Sequence, residues 1–466
     1  VTNTIKNPFL QIDRAIVGDI YTSREVMDNL TVLCDDFGAR FAGTPDEKRA
    51  AEFIAETFRR YGLQEVRLEP FAYSGWTRGA ATLEIVEPIQ KTIPCISLPY
   101  CPATEVTAEL VSVGYGSPDD FKKLGKKLRG RIVLADSASA RGQRWVHRKE
   151  KYERTVMAGG RAFIFVSETA GIGPETGSLQ NDRPAPIAGI SVCYEDGLFL
   201  KRLMERRGKV TLRLRTTDVN EPRTSWNVVG ELRGTEKPRE LVILGSHYDG
   251  HDISQGAVDP ASGTVVVMEA ARVLAAHARR RLKRTVRFIA YGVEELGLTG
   301  SSRYVEAHAR ELDRIRFVLN LDSAGGGRNK KGIVVHDWPK LVPFLENAAK
   351  EMRAEMPVVS AMGAHSDHFP FLLKGIVTGG VGDFGGGGTG GRGFGHTAYD
   401  TLDKVELVGL RDASAVAARI ALRIANAEKF PAKRRSAAVV KKIVATAPEL
   451  EGHRVEQQLE KSSKKN

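Results

Sequence analysis

The chain has 466 residues, enough for about three domains or one large domain carrying an insertion. Hydrophobic residues make up 42% and charged residues 27%, a composition with ample core for a globular protein. The formal net charge is +12, but Lys433 to Asn466 holds nine Lys or Arg against four Glu, so the rest mixes both signs and does not read as a nucleic-acid binder.

No run of 18 or more apolar residues occurs, which excludes a helical membrane span. Val1 to Leu10 lacks a basic stretch followed by an apolar one, so the sequence is expected to be cytoplasmic or the mature form of a secreted chain. The four cysteines, Cys34, Cys95, Cys101 and Cys193, are too few and scattered for a disulfide framework. Cys95 and Cys101 flank a Pro-rich segment and are close enough to pair, but free thiols are the favoured expectation. No Cys-x-x-Cys spacing suggests a thiolate zinc site.

Helices are expected over the first 70 residues. Thr22-Ser-Arg-Glu25 resembles a capping box ahead of Val26, Leu30 and Leu33. In Thr44-Pro-Asp-Glu47 a cap, a proline at the first helical position and a glutamate able to reach back precede Ala51, Ile54, Ala55 and Phe58. Residues 106–220 alternate short β-rich runs with brief helical ones and form an insert of their own. From Trp226 strand and helix alternate: Val228–Leu232, Leu241–Gly245, Val286–Tyr291, Phe317–Leu321 and Ile333–Val335, with helical segments Ser262–Ala278 and Ser301–Glu311 between. That pattern predicts a layered α/β sheet. Gly385 to Gly393 is expected to be a mobile loop, because no helix follows to make it a phosphate cradle. The stretch 431–466 reads as a basic, solvated tail with an amphipathic helix at Ala437–Thr446.

Three strands deliver polar residues at their C-terminal ends: His247 and Asp249, Glu294 and Glu295, and Asp322. Ligand sites of open α/β sheets lie outside those ends. Asp259 opens the helix after the first of these strands, and His396 follows the Gly-rich loop. Taken singly, a histidine at a strand end is more often structural and a Glu-Glu pair more often surface charge. Here Glu294-Glu295 follows an apolar strand and precedes Leu296-Gly-Leu298, and Asp322 ends another buried strand. Charges so close to buried strands are costly unless paired or bound to metal. Two imidazoles and three carboxylates suit a divalent ion, zinc first, with one carboxylate left over to carry a proton.

In sequence order the chain shows His247-Tyr-Asp249, Asp259-Pro-Ala-Ser-Gly263, Glu294-Glu295-Leu-Gly, Asn320-Leu-Asp322, Ser366-Asp-His-Phe-Pro-Phe371 and His396-Thr-Ala-Tyr-Asp-Thr401. Jointly these resemble the co-catalytic di-zinc exopeptidases, the group of aminopeptidase Y, bacterial leucyl aminopeptidases, plasma glutamate carboxypeptidase and glutamate carboxypeptidase II. Arg40-Phe-Ala-Gly-Thr-Pro45 is similar to that family's N-terminal segment. Residues 106–220 resemble a protease-associated domain, through Gly125–Leu134, Met157–Ile164 and Pro186–Ile190. The resemblance spans about residues 20 to 430.

The resemblance implies an α/β fold of zinc-exopeptidase type, with a mixed central sheet flanked by helices. Its catalytic domain is discontinuous, 1–105 and 221–430, with the protease-associated insert at 106–220 and the basic tail at 431–466. It implies two zinc ions, one held by His247, Asp259 and Asp322 and the other by Asp259, Glu295 and His396, so that Asp259 bridges. Glu294 is then the general base and acid, and Asp249 fixes the orientation of a ligand. In relatives the peptide bond after the bridging aspartate is typically cis, so a cis Asp259–Pro260 bond is expected. The implied substrates are peptides, cleaved at a terminal bond. Aminopeptidase is ahead of carboxypeptidase or dipeptidase, although no residue decides between them; Arg392 is a candidate cation for a substrate carboxylate. Receptor or scaffold relatives lose metal ligands and glutaminyl-cyclising relatives lack the insert, whereas this chain keeps both. The chain departs from family members that place a Tyr before the last His ligand: here the position is Gly395, and Tyr399, His365 and His368 are candidates for that oxyanion role. The Ser366-Asp-His368 run either positions substrate or packs the loop. The insert is expected to form a lobe near the cleft that restricts substrates to short peptides.

Overall fold

The computed structural model describes residues 6–384 and 393–463. Two eight-stranded sheets organise it. In spatial order the first comprises Gln64–Thr77, Val219–Leu232, Arg284–Tyr291, Lys237–His247, Ile315–Asn320, Thr378–Phe384, Lys330–His336 and Val358–Ala361. The four central strands, from Arg284–Tyr291 to Thr378–Phe384, run parallel; on one side Val219–Leu232 joins them antiparallel and pairs antiparallel with Gln64–Thr77, and on the other Lys330–His336 joins antiparallel and pairs parallel with Val358–Ala361. Arg284–Tyr291 is buried at every position, as expected of a strand covered on both faces.

Helices Ser262–His277 and Leu407–Asn426 pack together on one face, with Leu10–Thr22, Glu25–Thr31 and Pro45–Arg60 around them. Thr299–Ala307 and His368–Leu373 cover the other face through Tyr304, Val305 and Phe371. Thr44 caps its helix as expected, its hydroxyl accepting from the Glu47 amide. Glu47 reaches one residue further back than a capping box requires and accepts from the Gly43 amide at 2.6 Å.

The second sheet takes in Ala81–Glu87, Lys91–Ile93, Ile96–Ser97, Thr104–Ser112, Ile132–Asp136, Ala162–Val166, Ala188–Val192 and Thr211–Thr216. It therefore draws on more chain than 106–220, beginning at Ala81. The reason lies in one long ribbon. Gln64–Thr77 and Val219–Leu232 pair antiparallel down to Thr77 opposite Val219, so the chain leaves the first sheet and re-enters it at adjacent points. Everything between those two residues belongs to the lobe.

The C-terminal stretch is not a solvated tail. Ala437–Thr446 is helical, as the sequence suggests, and a second helix runs over Glu451–Ser463. Leu450, Val455 and Leu459 are buried. The Gly-rich loop expected at 385–393, and Arg392 within it, lie outside the described residues except for Gly393. The four cysteines are free thiols, Cys95 and Cys101 included.

Candidate metal centre

The C-terminal ends of three parallel strands set the site. Lys237–His247 ends on His247, Arg284–Tyr291 runs into the turn carrying Glu294 and Glu295, and Ile315–Asn320 leads to Asp322. Asp259 comes from the turn before the Ser262–His277 helix, and its bond to Pro260 is cis. Gly263 lets this helix approach the sheet closely: a Cβ there would meet the Leu321 carbonyl oxygen at 2.0 Å. All seven residues singled out in the sequence thus meet in one crevice.

Two triads of potential metal ligands form there. His247 Nε2 stands 3.3 Å from Asp259 Oδ1 and 3.3 Å from Asp322 Oδ1. His396 Nε2 stands 3.4 Å from Asp259 Oδ2 and 3.4 Å from Glu295 Oε2. Each oxygen of Asp259 therefore faces a different imidazole. Two donor atoms about 2.0–2.2 Å from one tetrahedral zinc stand roughly 3.3–3.6 Å apart, and the observed separations match. Nitrogen and oxygen donors without thiolate also suit zinc over softer ions.

Supporting hydrogen bonds fix each member. Asp249 is fully buried, and its two oxygens accept from the amides of Glu294 (2.9 Å) and Glu295 (3.2 Å). Its own backbone oxygen lies 3.0 Å from His247 Nδ1, which leaves Nε2 for the triad. Asp400, four residues after His396, accepts from the amides of Val258 (2.7 Å) and Asp259 (3.0 Å), so the His-Thr-x-x-Asp segment holds the bridging residue as well as supplying a ligand. Ser366 donates to Asp322 Oδ2 at 2.7 Å and accepts from Asn320 at 2.6 Å. Buried Arg40 donates to the carbonyls of Tyr248, Gln255 and Gly256, tying the loop between His247 and Asp259 to the N-terminal segment. The lobe takes part directly: the Thr176 amide donates to the His396 carbonyl at 2.8 Å, and His396 Nδ1 lies 3.1 Å from the Thr176 carbonyl.

The electrostatics follow from burial among like charges. Burial pushes the Glu294 carboxyl well above the usual range, with Glu295 and Asp322 adding to it and His247 opposing it. Burial pushes Glu295 up to about 7. Burial opposes a charge on His247, but Glu294 and Asp322 beside it hold its pKa well above the ordinary value. Carboxylates crowded in this way gain from a divalent cation, the largest local charge such a site can take.

Peptidase family M28 matches residues 227–421 and the PA domain matches residues 106–200. Aminopeptidase YwaD of Bacillus subtilis (strain 168) is 30% identical over 370 residues, covering 76% of this chain and 74% of that protein. The chain belongs to peptidase family M28. Carboxypeptidase Q of Xenopus laevis is 29% identical to this M28 chain over 321 residues, 67% of each, and the bovine protein 27% identical over 64% of its length. The chain thus spans about two thirds of those relatives. Among solved structures, a zinc aminopeptidase from Bacillus subtilis, BSAP, superposes with a TM-score of 0.67 at 26% identity, covering 86% of this chain and 94% of that one. An M28 peptidase precursor from Shewanella amazonensis shares the fold, with a TM-score of 0.77 at 22% identity, covering 91% of this chain and 98% of that one.

One residue of the M28 site escapes sequence reasoning. His251 is buried, with Nε2 2.8 Å from Glu295 Oε2 and 3.1 Å from His396 Nδ1. Burial pushes its pKa down to about 3, and with Glu295 and His396 it forms a buried group of three side chains able to hold a metal ion. The signal was present in His247-Tyr-Asp-Gly-His251, a second histidine four residues on, but in an irregular loop that spacing fixes no common face. Of the candidates for the oxyanion role, His365 lines the cavity above the triads, stacked on His147 of the lobe with ring centroids 4.2 Å apart. His368 instead stacks on His336, and Tyr399 is half exposed.

Proposed function

We propose that the chain is a zinc-dependent exopeptidase that holds two metal ions and hydrolyses a terminal peptide bond, most readily as an aminopeptidase. The observation that carries this is Asp259, whose two oxygens face His247 and His396 in separate triads. His247, Asp259 and Asp322 would hold one zinc, and Asp259, Glu295 and His396 the other. Such a pair would polarise the scissile carbonyl and an attacking water and stabilise the negative charge that develops on the carbonyl oxygen.

The protein's own groups do the rest. Glu294 opens onto the cavity beside both triads, takes the proton of the attacking water on its carboxylate and returns it to the leaving nitrogen. Asp249 holds the backbone of Glu294 and Glu295 so that one carboxylate serves a triad and its neighbour stays available. His251 keeps Glu295 turned toward His396. Aminopeptidase activity is favoured by the carboxylate-rich floor, which suits an α-ammonium group, and by the activities named for YwaD and BSAP. Carboxypeptidase action is the second reading, from the activity named for carboxypeptidase Q.

A panel of amino-acyl anilides, N-blocked dipeptides and free dipeptides, assayed with zinc and with a chelator, separates these readings. The expected result is zinc-dependent cleavage of amino-acyl anilides, with N-blocked dipeptides inert. Cleavage of N-blocked dipeptides alone makes the chain a carboxypeptidase, and chelator-resistant activity contradicts the metal centre.

A further inference from the structure

We infer that the C-terminal helical hairpin is a wall of the substrate cavity and limits the length of peptide that enters it. The inference rests on the exopeptidase reading and adds a substrate class, short peptides, selected by a segment outside both family matches. Peptidase family M28 ends its match at residue 421 and the PA domain at residue 200.

The hairpin is anchored to both lobes. On the catalytic side, Arg434 pairs with Asp313 at 2.6 Å, and Arg435 pairs with Asp337 at 2.8 Å while its guanidinium stacks 3.9 Å from the Trp338 ring. The Arg435 amide donates to the Gly375 carbonyl at 2.8 Å. Arg454 closes the hairpin by donating to the carbonyls of Val444 and Ala447. Leu450, with no exposed surface, packs on Phe369 and Leu372 of the helix that follows Ser366.

On the lobe side the contacts are ionic. Glu451 meets Arg144 and Arg154, both of which also bind the buried carboxylate of Glu150. Glu456 meets Lys149 at 2.9 Å and accepts from Asn181 at 2.7 Å. Glu460 pairs with Arg183 at 2.9 Å. Three acids spaced along one helix thus meet a basic face of the lobe. Buried or shared pairs of this kind hold position better than isolated surface pairs.

The helix so placed borders the catalytic cavity. That cavity is about 690 Å³, within the range of sites for drug-sized ligands. Glu294, Asp322 and His396 line it on one side, His147 and Lys149 on the lobe side, and His453 and Gln457 on the hairpin. A peptide entering with its scissile bond over the triads projects its remaining residues toward this third wall, at roughly 3.3–3.6 Å per extended residue. Peptides beyond a few residues meet His453 and Gln457.

The test uses zinc-loaded full-length protein and free alanine peptides of two to eight residues, which serve either direction of exopeptidase action. Wild type is expected to lose at least about tenfold in kcat/KM between the shorter and longer members. Glu451→Arg sets a cation against Arg144 and Arg154 and detaches the wall. It should raise the octapeptide-to-dipeptide ratio about tenfold or more while leaving the dipeptide rate within about twofold. Gln457→Trp narrows the cavity and should lower the same ratio, and it keeps the test decisive if Glu451→Arg fails to fold. A wild type that cleaves octapeptides as readily as dipeptides overturns the inference, as does a ratio unmoved in both variants, and either leaves the exopeptidase reading standing. No hydrolysis of any member overturns that reading and the wall with it.

Discussion

Glu294→Gln is expected to lower turnover by about three orders of magnitude or more while both zinc ions stay bound. The amide keeps the shape and the hydrogen bond from the Glu294 amide to Asp249, but it cannot accept the proton released as water attacks. Acid–base contributions of roughly 10²–10⁴ set the scale. Glu295→Gln is the matched control one residue away. It removes a charged donor from the triad of His396 and should weaken one zinc by about tenfold or more, at least the loss that residues merely supporting a ligand bring. Activity in Glu295→Gln should recover in part with excess zinc, and in Glu294→Gln it should not. Metal titration with a chromogenic chelator beside steady-state rates reads both. Equal metal content and equal activity in the two variants contradict the division of labour.

Asp259→Ala carries the second large effect. One carboxylate supplies an oxygen to each triad, so its loss strips both sites at once, leaving His247 with Asp322 and His396 with Glu295. Zinc content after desalting should fall toward zero, with activity down by about 10³ or more, since metal chemistry and Glu294 then act without each other. Asp322→Ala should remove one ion and leave its neighbour. Near-ultraviolet circular dichroism checks that Asp259→Ala stays folded, as expected when its backbone amide remains held by Asp400. A folded Asp259→Ala protein that still binds two zinc ions tightly contradicts the bridge.

How far the sequence displays this arrangement depends on the kind of signal. The parallel strands that lead to His247, Glu294 and Asp322 each carry an apolar run, Leu241–Leu244, Phe288–Ala290 and Phe317–Leu319, and the polar residues that follow stand out. His247, Glu295 and Asp322 are legible because each closely follows an apolar run at a strand end, whereas Asp259 and His396 lie in turns and are legible through the motifs around them. Gln64–Thr77 carries Pro70 and Gly75, and Thr378–Phe384 carries three glycines, so neither reads as a strand until its neighbours supply the pairing. The lobe's first strands lie hidden for a similar reason: Ala81–Glu87 is defined by its antiparallel partner Thr211–Thr216, over 120 residues away. The supports of the site, Asp400 under Asp259 and Thr176 against His396, are contacts between distant segments that no local pattern encodes. The C-terminal hairpin is the plainest case. Counting charge made it a basic tail, because its lysines and arginines outnumber its acids. Position decides instead: Glu451, Glu456 and Glu460 fall on the side facing Arg144, Lys149, Arg154 and Arg183 of the lobe.

The most direct test of the two-metal centre is the zinc content of the folded wild-type chain. Protein saturated with zinc and freed of loosely held metal by gel filtration is analysed by atomic emission, alongside its rate on an amino-acyl anilide. The two triads around Asp259 predict two zinc ions per chain, with activity rising as the second site fills. A fully active protein holding one zinc ion or none would contradict that account.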